Sequence, residues 1–434
     1  MINLHGSSRK REGVTGDENI FDIKQGVTIT FFIKHNDDRP RIVKYSEIYG
    51  SREEKFKWLN NRFLSQIEFQ DVLPQSPHYL FIPLKTSVEY QLFPSIIDIF
   101  EKYSVGIATA RDKFTIDFDK EALIDRLDKF IKLSESDARE LFSLGEDAED
   151  WKVTLAQEDV RSSKLSDQKF VRITYRPFDV RFTYYTGKSK GLICRPRKDI
   201  MENMLNENEA IVTTRGSKPE PWRDVFAADN MTDIALLSAN TSRSSYHFPL
   251  YIYEEGRRLS NIKTEIIENL SEKYGQKISP ETLFDYIYGL LNSPKYRNKY
   301  EKELQRDFPR IWFPEAHDVF QKISNLGRKL IDLHTKKTKI SGMLGYTVAG
   351  DNIIRKIEYV DGTICINETQ CFVGCSQEIW DFTIGSYKVL EKWLKSRKGR
   401  SLTSADVEMF SKIASIIKAT LQIQETLDSF IGFL

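Results

Sequence analysis

Long apolar segments are absent from this 434-residue sequence. The longest apolar runs, such as Val27–Ile33, are short and contain polar residues, so we predict no membrane-spanning helix and no membrane partner. The first residues, MINLHGSSRKRE, lack an apolar core followed by a small-residue cleavage site, which argues against a signal peptide. Hydrophobic residues make up 40% and charged residues 29%, a balance typical of folded proteins. We therefore expect a cytoplasmic, folded protein.

Cysteine is also scarce, with four residues in the whole chain. Three of them, Cys365, Cys371 and Cys375, lie close together, which suggests zinc as one interpretation. Tetrahedral zinc requires a fourth ligand, and the nearest preceding histidine, His334, is remote in sequence. Reduced, partly buried thiols are therefore the preferred interpretation, and we predict no metal site.

Short catalytic motifs are missing as well. The sequence contains no GxGxxG or P-loop, no HExxH and no GxSxG. The tripeptide Glu53-Glu54-Lys55 has the E-x-K part of a nuclease pattern, but it lies on an amphipathic segment where a solvated helix face is the preferred interpretation. We therefore predict no catalytic residue and no cofactor-binding residue in this chain.

Strand patterns dominate two parts of the sequence. Phe21–Lys34 is rich in β-branched and aromatic residues, and Arg41–Tyr45 alternates after a turn-forming cluster, so the two segments predict a β-hairpin. A lone hairpin is unstable, so these strands must join a larger sheet. Phe170–Tyr185 predicts two further strands interrupted at Pro177.

Helical patterns lie between and after the strands. Glu53–Leu64 and Asp119–Leu144 have apolar residues at helical spacing. Ser279-Pro280 is a typical helix start, with serine as N-cap and proline in the first turn. Further helices are predicted from about Val319 to Leu333 and over Ser404–Phe430.

Positive charge is concentrated although the net charge is only +1. Between Arg172 and Lys198 there are eight basic residues and one acidic residue, whereas Glu135–Asp150 contains seven acidic residues and one arginine. A nearly neutral chain with such a basic stretch can bind a polyanion locally. The alternative is a set of strands whose charged faces are simply solvated.

Four long strings resemble type ISP restriction–modification enzymes, in the order that this family has. Residues 4–34 (LHGSSRKRE through DENIFDIKQGVTITFFIK) resemble the end of its methyltransferase domain. ITYRPFDVRFTYYTGKSKGLICRPRKDIMENML at 173–205 resembles the start of its C-terminal specificity domain. LFDYIYGLLNSPKYRNKYEKELQRDFPRIWFP at 283–314 and IGSYKVLEKWLKSRKGRSLT at 384–403 resemble later blocks.

The resemblance implies a mixed α/β fold. We expect a terminal β-hairpin of a Rossmann-like methyltransferase sheet, followed by a helical spacer and an α+β target-recognition domain. The expected boundaries are 1–85 for the C-terminal remnant of the methyltransferase domain, 86–165 for a helical linker and 166–434 for the specificity domain. A helical insertion is expected at about 279–335.

The resemblance also implies the function. Members combine a nuclease, a helicase-like motor, an N6-adenine methyltransferase and a target-recognition domain, and the methyltransferase needs an FxGxG-type loop and an (N/D)PPY motif. Neither motif occurs in this chain. We therefore expect S-adenosylmethionine in a partner or in a missing upstream domain, and double-stranded DNA and a methyltransferase/helicase/nuclease core on another chain as partners. This chain would select the target site for that core.

Two alternatives remain at this point. The chain could be an active adenine methyltransferase in its own right, which the missing motifs disfavour, or a nonfunctional gene remnant. An NPPY-containing methyltransferase encoded immediately upstream would support a split enzyme.

The basic stretch and the loop after it supply the candidates for DNA contact. Arginine can pair bidentately with guanine, whereas lysine mostly contacts phosphate, and aromatic residues can pack or wedge against bases. Each arginine could instead form an ion pair within the protein, as Arg176 or Arg181 could with Asp179. A second basic cluster, Lys395–Arg400, could clamp the DNA backbone or be a solvated helix end. The candidates are Arg176, Arg181, Arg195, Arg197, Lys198, Arg215, Lys218, Trp222 and Arg223, with Tyr184 as a further packing residue.

Overall fold

The computed structural model describes residues 1–7, 16–34, 36, 42–74, 79, 81–83, 88–148, 150–216, 221–238 and 244–432. The chain divides into two compact units, Met1–Thr86 and Ser87–Leu434. Within the described ranges no helix is both long enough and apolar enough to cross a membrane.

A small four-stranded sheet forms the first unit. Its described elements are β1 (Ile2–His5), β2 (Val27–Ile29), β3 (Val43–Glu47), helix α1 (Arg52–Asn60) and β4 (Gln70–Val72). The strand order is β2-β1-β3-β4, with β1 antiparallel to β2 and parallel to β3. The predicted hairpin between Phe21–Lys34 and Arg41–Tyr45 is therefore wrong, because β1 lies between these two segments. Ile2 and Leu4 are buried in β1, and this apolar pair explains its central place.

A buried ion pair anchors α1, so the expectation of a solvated E-x-K face is wrong for Lys55, whereas Glu53 and Glu54 are exposed. The side chain of Lys55 is fully buried, and its Nζ lies 2.6 Å from Asp17 Oδ1. Lys55 Nζ also donates to the Glu18 carbonyl oxygen at 2.5 Å. The backbone amides of Gly6 and Gly50 donate to the same Asp17 carboxylate. These hydrogen bonds and Lys55 hold the pKa of Asp17 below its ordinary value although burial opposes this.

The second unit contains both helices and strands. Its helices are α2 (Val88–Leu92), α3 (Ile96–Ile99), α4 (Asp112–Thr115), α5 (Lys120–Lys132), α6 (Glu135–Leu141), α7 (Val153–Ser162), α8 (Lys198–Met201), α9 (Thr264–Tyr274), α10 (Pro280–Asn292), α11 (Pro294–Lys299), α12 (Glu301–Leu304), α13 (His317–His334), α14 (Gln377–Trp380), α15 (Val389–Lys395) and α16 (Ser404–Phe430). Of these, α9 to α13 follow one another without an intervening strand.

The strands of the second unit form several small sheets. They are β5 (Ser104–Val105), β6 (Ile116–Asp117), β7 (Phe170–Arg176), β8 (Asp179–Tyr184), β9 (Ala210–Thr214), β10 (Val225–Ala228), β11 (Met231–Thr232), β12 (Ser245–Pro249), β13 (Tyr251–Glu254), β14 (Arg257–Ser260), β15 (Gly345–Tyr346), β16 (Glu358–Val360), β17 (Thr363–Cys365), β18 (Cys371–Val373), β19 (Thr383–Ile384) and β20 (Tyr387–Lys388).

Two four-stranded sheets position the basic stretch. Their orders are β10-β9-β12-β5 and β11-β7-β8-β6, and a third sheet has the order β15-β18-β17-β16. The segment 86–165, expected as a helical linker, contains β5 and β6, which pair with β12 and β8. It therefore contributes edge strands to both sheets as well as helices.

Local sequence signals located several elements. The two strands separated at Pro177 are confirmed as the antiparallel pair β7–β8. Helix α10 begins at Pro280, where the Ser279 side chain accepts a hydrogen bond from Thr282 N. The single helix predicted over Asp119–Leu144 is wrong, because the chain turns at Leu133 and Ser134 caps a separate helix, α6.

Two apolar clusters form the main core of the second unit. Helices α10 and α13 cross closely at Gly289 and Gly327, and they pack with α9, α11 and β12 in one cluster. The other cluster joins β10, β17, β18, α14 and α15. Helix α16 belongs to both, since Phe410 to Ile417 pack in the second cluster and Leu427 in the first.

The cysteines differ from the expectation of reduced thiols. Cys365 and Cys371 are directly opposite on β17 and β18 and form a disulfide, whereas Cys194 and Cys375 are free and buried. The pairing of the two strands brings these side chains together, which sequence spacing alone did not reveal. Within the described residues no group of His, Cys, Asp or Glu side chains is arranged to hold a metal ion.

Candidate nucleic-acid interface

A surface cleft brings together three of the predicted DNA-contact residues. Arg195, Arg197 and Lys198 line a cleft of about 620 Å³, opposite Lys102 and Tyr103. The loop after β8 and the start of α8 supply the three predicted cations, while the segment leading into β5 supplies Lys102. The backbones of Arg195 and Ala108 pair with each other, with N to O distances of 2.9 and 3.0 Å, and so fix the loop against the chain beyond β5.

Carboxylates neutralise most of these cleft cations. Arg195 donates through Nε and Nη2 to Asp150, which comes from the acidic segment before α7. Lys198 Nζ lies 3.8 Å from Glu202 Oε1, and Lys102 Nζ lies 2.6 Å from Glu254 Oε1. The hydrogen bond from Arg195 holds the pKa of Asp150 below its ordinary value. The acidic segment and the basic stretch are thus partners, which their charges alone had not placed together.

Arg197 differs from its neighbours. It adopts a left-handed backbone conformation, with φ of 52°, immediately before α8. Its side chain is half-buried, and the buried Nε has no hydrogen-bond partner among the described residues. A buried donor without an acceptor is destabilising, and an incoming acceptor would relieve this cost.

Arg215 and Arg223 form a second group. They lie just beyond the pairing of β9 with β10, in which Thr213 is opposite Val225, so the two arginines flank the same loop. Arg215 Nε donates to Asp307 at 3.0 Å, and Arg223 Nη1 donates to Thr383 Oγ1 at 2.6 Å. Neither lines the cleft. Lys218 lies outside the described residues.

Three candidates are buried, which corrects their assignment as DNA-facing side chains. Trp222 is 2% exposed and packs in the core with α10. Tyr184 is fully buried, and its hydroxyl is 2.7 Å from Ser163 Oγ. Arg176 is buried and donates to Asp233 Oδ1 at 2.7 Å. A side chain enclosed by its own fold presents no surface to a base or phosphate.

Arg181 belongs to an arrangement that we call the Phe118 cluster: Phe118, Asp179, Arg181, Arg397 and Arg400. Asp179 is 1% exposed. Its Oδ2 accepts a hydrogen bond from Arg181 Nη2 at 2.7 Å, and its Oδ1 accepts one from Arg397 Nη2 at 3.0 Å. The guanidinium carbons of Arg181, Arg397 and Arg400 lie 4.0, 4.6 and 4.3 Å from the centre of the Phe118 ring. The expected pairing of Arg181 with Asp179 is therefore found, and the basic stretch meets the Lys395–Arg400 segment here.

Comparison with protein families shows to which family the chain is related. Residues 98–426 match the family described as Type ISP C-terminal specificity domain. The chain belongs to this family. The specificity domain thus includes the cleft, the Arg215 and Arg223 group and the Phe118 cluster. None of the curated proteins matches the sequence.

Solved structures with the same fold support this relationship. The DrdV–DNA complex has a TM-score of 0.65 and 22% identity, covering 98% of this chain and 47% of that chain. A nuclease-deletion mutant of the Type ISP restriction-modification enzyme LlaGI, with a DNA substrate mimic, has a TM-score of 0.60 and 18% identity over 98% and 43% of the two chains. The ATP-dependent Type ISP enzyme LlaBIII, bound to DNA, has a TM-score of 0.65 and 19% identity over 98% and 31%. The chain spans less than half of the length of each.

Several residues of the specificity domain escaped the sequence-based selection. Asp150 pairs with Arg195, Phe118 contacts Arg181, and Lys102 lines the same cleft as Arg195, although all three lie far from these arginines in sequence. A lysine or a phenylalanine carries no signal by its type, and the acidic segment that contains Asp150 gave no indication of its partner. The strand pairings of β5 and β6 place the neighbouring Lys102 and Phe118.

Proposed function

We propose that this chain is the DNA-reading portion of a Type ISP restriction–modification enzyme, and that it selects the site at which a methyltransferase core acts. The match to the specificity-domain family over residues 98–426 carries this proposal. The neighbours of similar fold include enzymes solved with DNA or a DNA substrate mimic, which supports DNA as the ligand. S-adenosylmethionine would bind the core and not this chain.

The chemistry of the cleft suits this task. Arginine presents paired donors that match guanine O6 and N7 or a phosphate, and both Arg195 and Arg197 line the cleft. Arg197 has no carboxylate partner among the described residues, whereas a bidentate contact by Arg195 requires its exposed pair with Asp150 to open. Methylating adenine requires the base to leave the stack, whereas choosing the site requires contacts with neighbouring bases. The two tasks are separable, so a specificity domain can act for a catalytic core that it does not contain.

Replacing Arg195 and Arg197 together by alanine is expected to weaken binding of a duplex that contains the recognition site. We expect a loss of about 1–3 kcal/mol if either arginine makes a bidentate base contact. Fluorescence anisotropy at two salt concentrations measures this loss, because phosphate contacts add a salt-dependent component. Arg355 and Lys356, which are exposed and paired with Asp351 and Glu358, provide the control double variant with the same charge change. Equal affinity of both variants and the parent at both salt concentrations would mean that the cleft is not the DNA-contact face.

The first unit has a different proposed role, as part of a Rossmann-like methyltransferase sheet. Strand β2 is at one edge of the described sheet, and the segment after it exposes apolar side chains. Phe31, Phe32 and Ile33 are 60%, 83% and 72% exposed. A strand edge beside apolar surface favours association with further protein. We propose that the methyltransferase core, supplied by another chain or by sequence upstream, covers this surface.

Substituting aspartate for Phe31 and Ile33 tests this docking. Ile29 is less suitable, because it pairs with Ile2 inside the sheet and its loss would disturb the first unit itself. We expect the double variant to lose co-purification with a co-expressed Type ISP methyltransferase core, because two charges would be desolvated at the contact. A Phe31→Leu/Ile33→Val variant should retain association, and DNA binding by the specificity domain should be unchanged in both. Residues 27–33 protected from hydrogen exchange in a monomeric chain would contradict the docking.

A further inference from the structure

Positive charge without a carboxylate partner also occurs outside the cleft, near the Phe118 cluster. Arg195, Lys198, Arg215 and Lys102 each have a carboxylate partner. By contrast, within the described part of the chain, no carboxylate lies within ion-pair distance of Lys392, Lys398 or Arg400. Lys392 lies within α15, Lys398 and Arg400 follow its last residue in the chain, and none of the three lines the cleft. They therefore carry charge that the fold leaves unneutralised.

Aromatic rings orient two of these three cations, Arg400 and Lys392. Arg400 is exposed, and its guanidinium lies 4.3 Å from the centre of the Phe118 ring. Lys392 is half-buried, with its Nζ 5.2 Å from the centre of the Tyr387 ring. Contact with an aromatic ring orients a cation while leaving its hydrogen-bond donors available. Arg397 is buried next to these residues in the chain. Its guanidinium carbon lies 3.6 Å from the centre of the Trp393 ring, and its side chain is paired with Asp179.

Arg181 and Arg397 share the buried carboxylate of Asp179. A second carboxylate, Asp406, lies 3.7 Å from Arg397 Nε. Burial lowers the pKa of Lys392. The positive charges of Arg176, Arg181 and Lys395 lower this pKa further, whereas the negative charge of Asp179 raises it. The pKa of Lys336 is lowered by burial as well, with Arg172 and Arg397 adding to the effect and Asp229 and Asp179 opposing it. The cations around Asp179 thus repel one another, which favours binding of an anion at Lys392, the half-buried member of this group.

We propose that Lys392, Lys398 and Arg400, set on the Phe118 cluster, bind the sugar–phosphate backbone of a DNA duplex as a second contact surface outside the cleft. This inference rests on the proposed function, since it names a further contact with the same ligand. A DNA backbone is the polyanion that the proposed function supplies, and its repeated phosphates suit cations carried at separate positions of the chain. Backbone contacts of this kind hold the register of the duplex while the cleft contacts bases.

The test uses the full chain in which Lys392, Lys398 and Arg400 are all replaced by glutamine. The matched control replaces Lys277, Lys329 and Lys418, which are exposed, have no ion-pair partner among the described residues and give the same charge change. A Lys398→Gln/Arg400→Gln variant leaves the half-buried Lys392 intact, in case the triple variant does not fold. Affinity for a duplex is measured by fluorescence anisotropy over a range of salt concentrations.

We expect the triple variant to bind about tenfold more weakly or worse, with a salt slope shallower by about 2 to 3, and the double variant to show a slope shallower by about 2. The control triple variant should keep the slope of the parent. Equal binding by the parent and by the double and triple variants would overturn the second contact surface and leave the proposed function standing. Equal weakening of the test and control variants would overturn it too, because net charge alone would then explain the loss.

Two further results separate the remaining cases. If the parent binds no duplex at any salt concentration, the proposed function itself fails, and the second surface fails with it. If calorimetry shows that inorganic phosphate binds the parent at micromolar concentration and that the triple variant loses this binding, the occupant is a small anion. That result would overturn the assignment to a DNA backbone.

Discussion

A Gly327→Ala variant is expected to lose about 3 kcal/mol or more of unfolding free energy in the second unit. An added Cβ at Gly327 would lie 1.8 Å from the carbonyl oxygen of Asp285 on α10, so one of the two helices must move. The crossing of α10 and α13 is in the middle of a core cluster, and neither helix can shift without opening its packing. Denaturant unfolding followed by circular dichroism measures the loss.

Two companion variants make this result specific. Gly289→Ala should also destabilise, because its Cβ would meet the Ile323 carbonyl oxygen at 2.6 Å. Lys329→Ala, at an exposed position of the same helix, should leave the unfolding midpoint nearly unchanged. A Gly327→Ala variant as stable as the Lys329→Ala variant would show that the two helices do not approach as closely as the structure describes.

An Asp179→Asn variant is expected to lose about 3–5 kcal/mol of unfolding free energy. The substitution keeps the shape of the side chain but removes the negative charge that Arg181 and Arg397 share. Arg397 is itself buried, and the variant would leave it only the longer contact of its Nε with Asp406 Oδ1, at 3.7 Å. Differential scanning calorimetry of the parent and the variant measures the effect.

The exposed pair of Arg195 with Asp150 provides the contrast. Asp150→Asn removes a carboxylate that water can replace, so its unfolding temperature should stay close to that of the parent. Adding Arg397→Met to Asp179→Asn should recover part of the lost stability, because the unpaired charge is then removed. Similar unfolding temperatures for Asp179→Asn and Asp150→Asn would contradict the structural role of the buried carboxylate.

Elements with strong local signals could be predicted from the sequence. The serine cap and Pro280 located α10, and the interruption at Pro177 located the β7–β8 pair. The pairing of β1 could not be found this way, because four residues at the start of the chain join partners more than twenty positions away. Short strands carry little pattern of their own, and their neighbours are set by burial of the whole sheet.

The candidate site was predictable only as a region. The resemblance to the specificity domain selected the basic stretch, and Arg195, Arg197 and Lys198 do share one cleft. Arg176 and Trp222 looked equally suitable in sequence, yet both are buried. The difference arises from which way each side chain points in a folded strand or loop. The Phe118 cluster joins residues 118, 181 and 397, and no spacing rule connects positions so far apart.

Helix α16 imposes an order on folding. It supplies residues to both core clusters and follows every other described element of those clusters in the chain. Neither cluster can close during synthesis until this helix has been made, so apolar surface from α10 to α15 stays open in the nascent chain. The contacts of α16 with α10, α11 and α13 join distant parts of the sequence, which slows the search for the native arrangement. We therefore expect the two clusters to fold together in one cooperative step, once α16 has been synthesised.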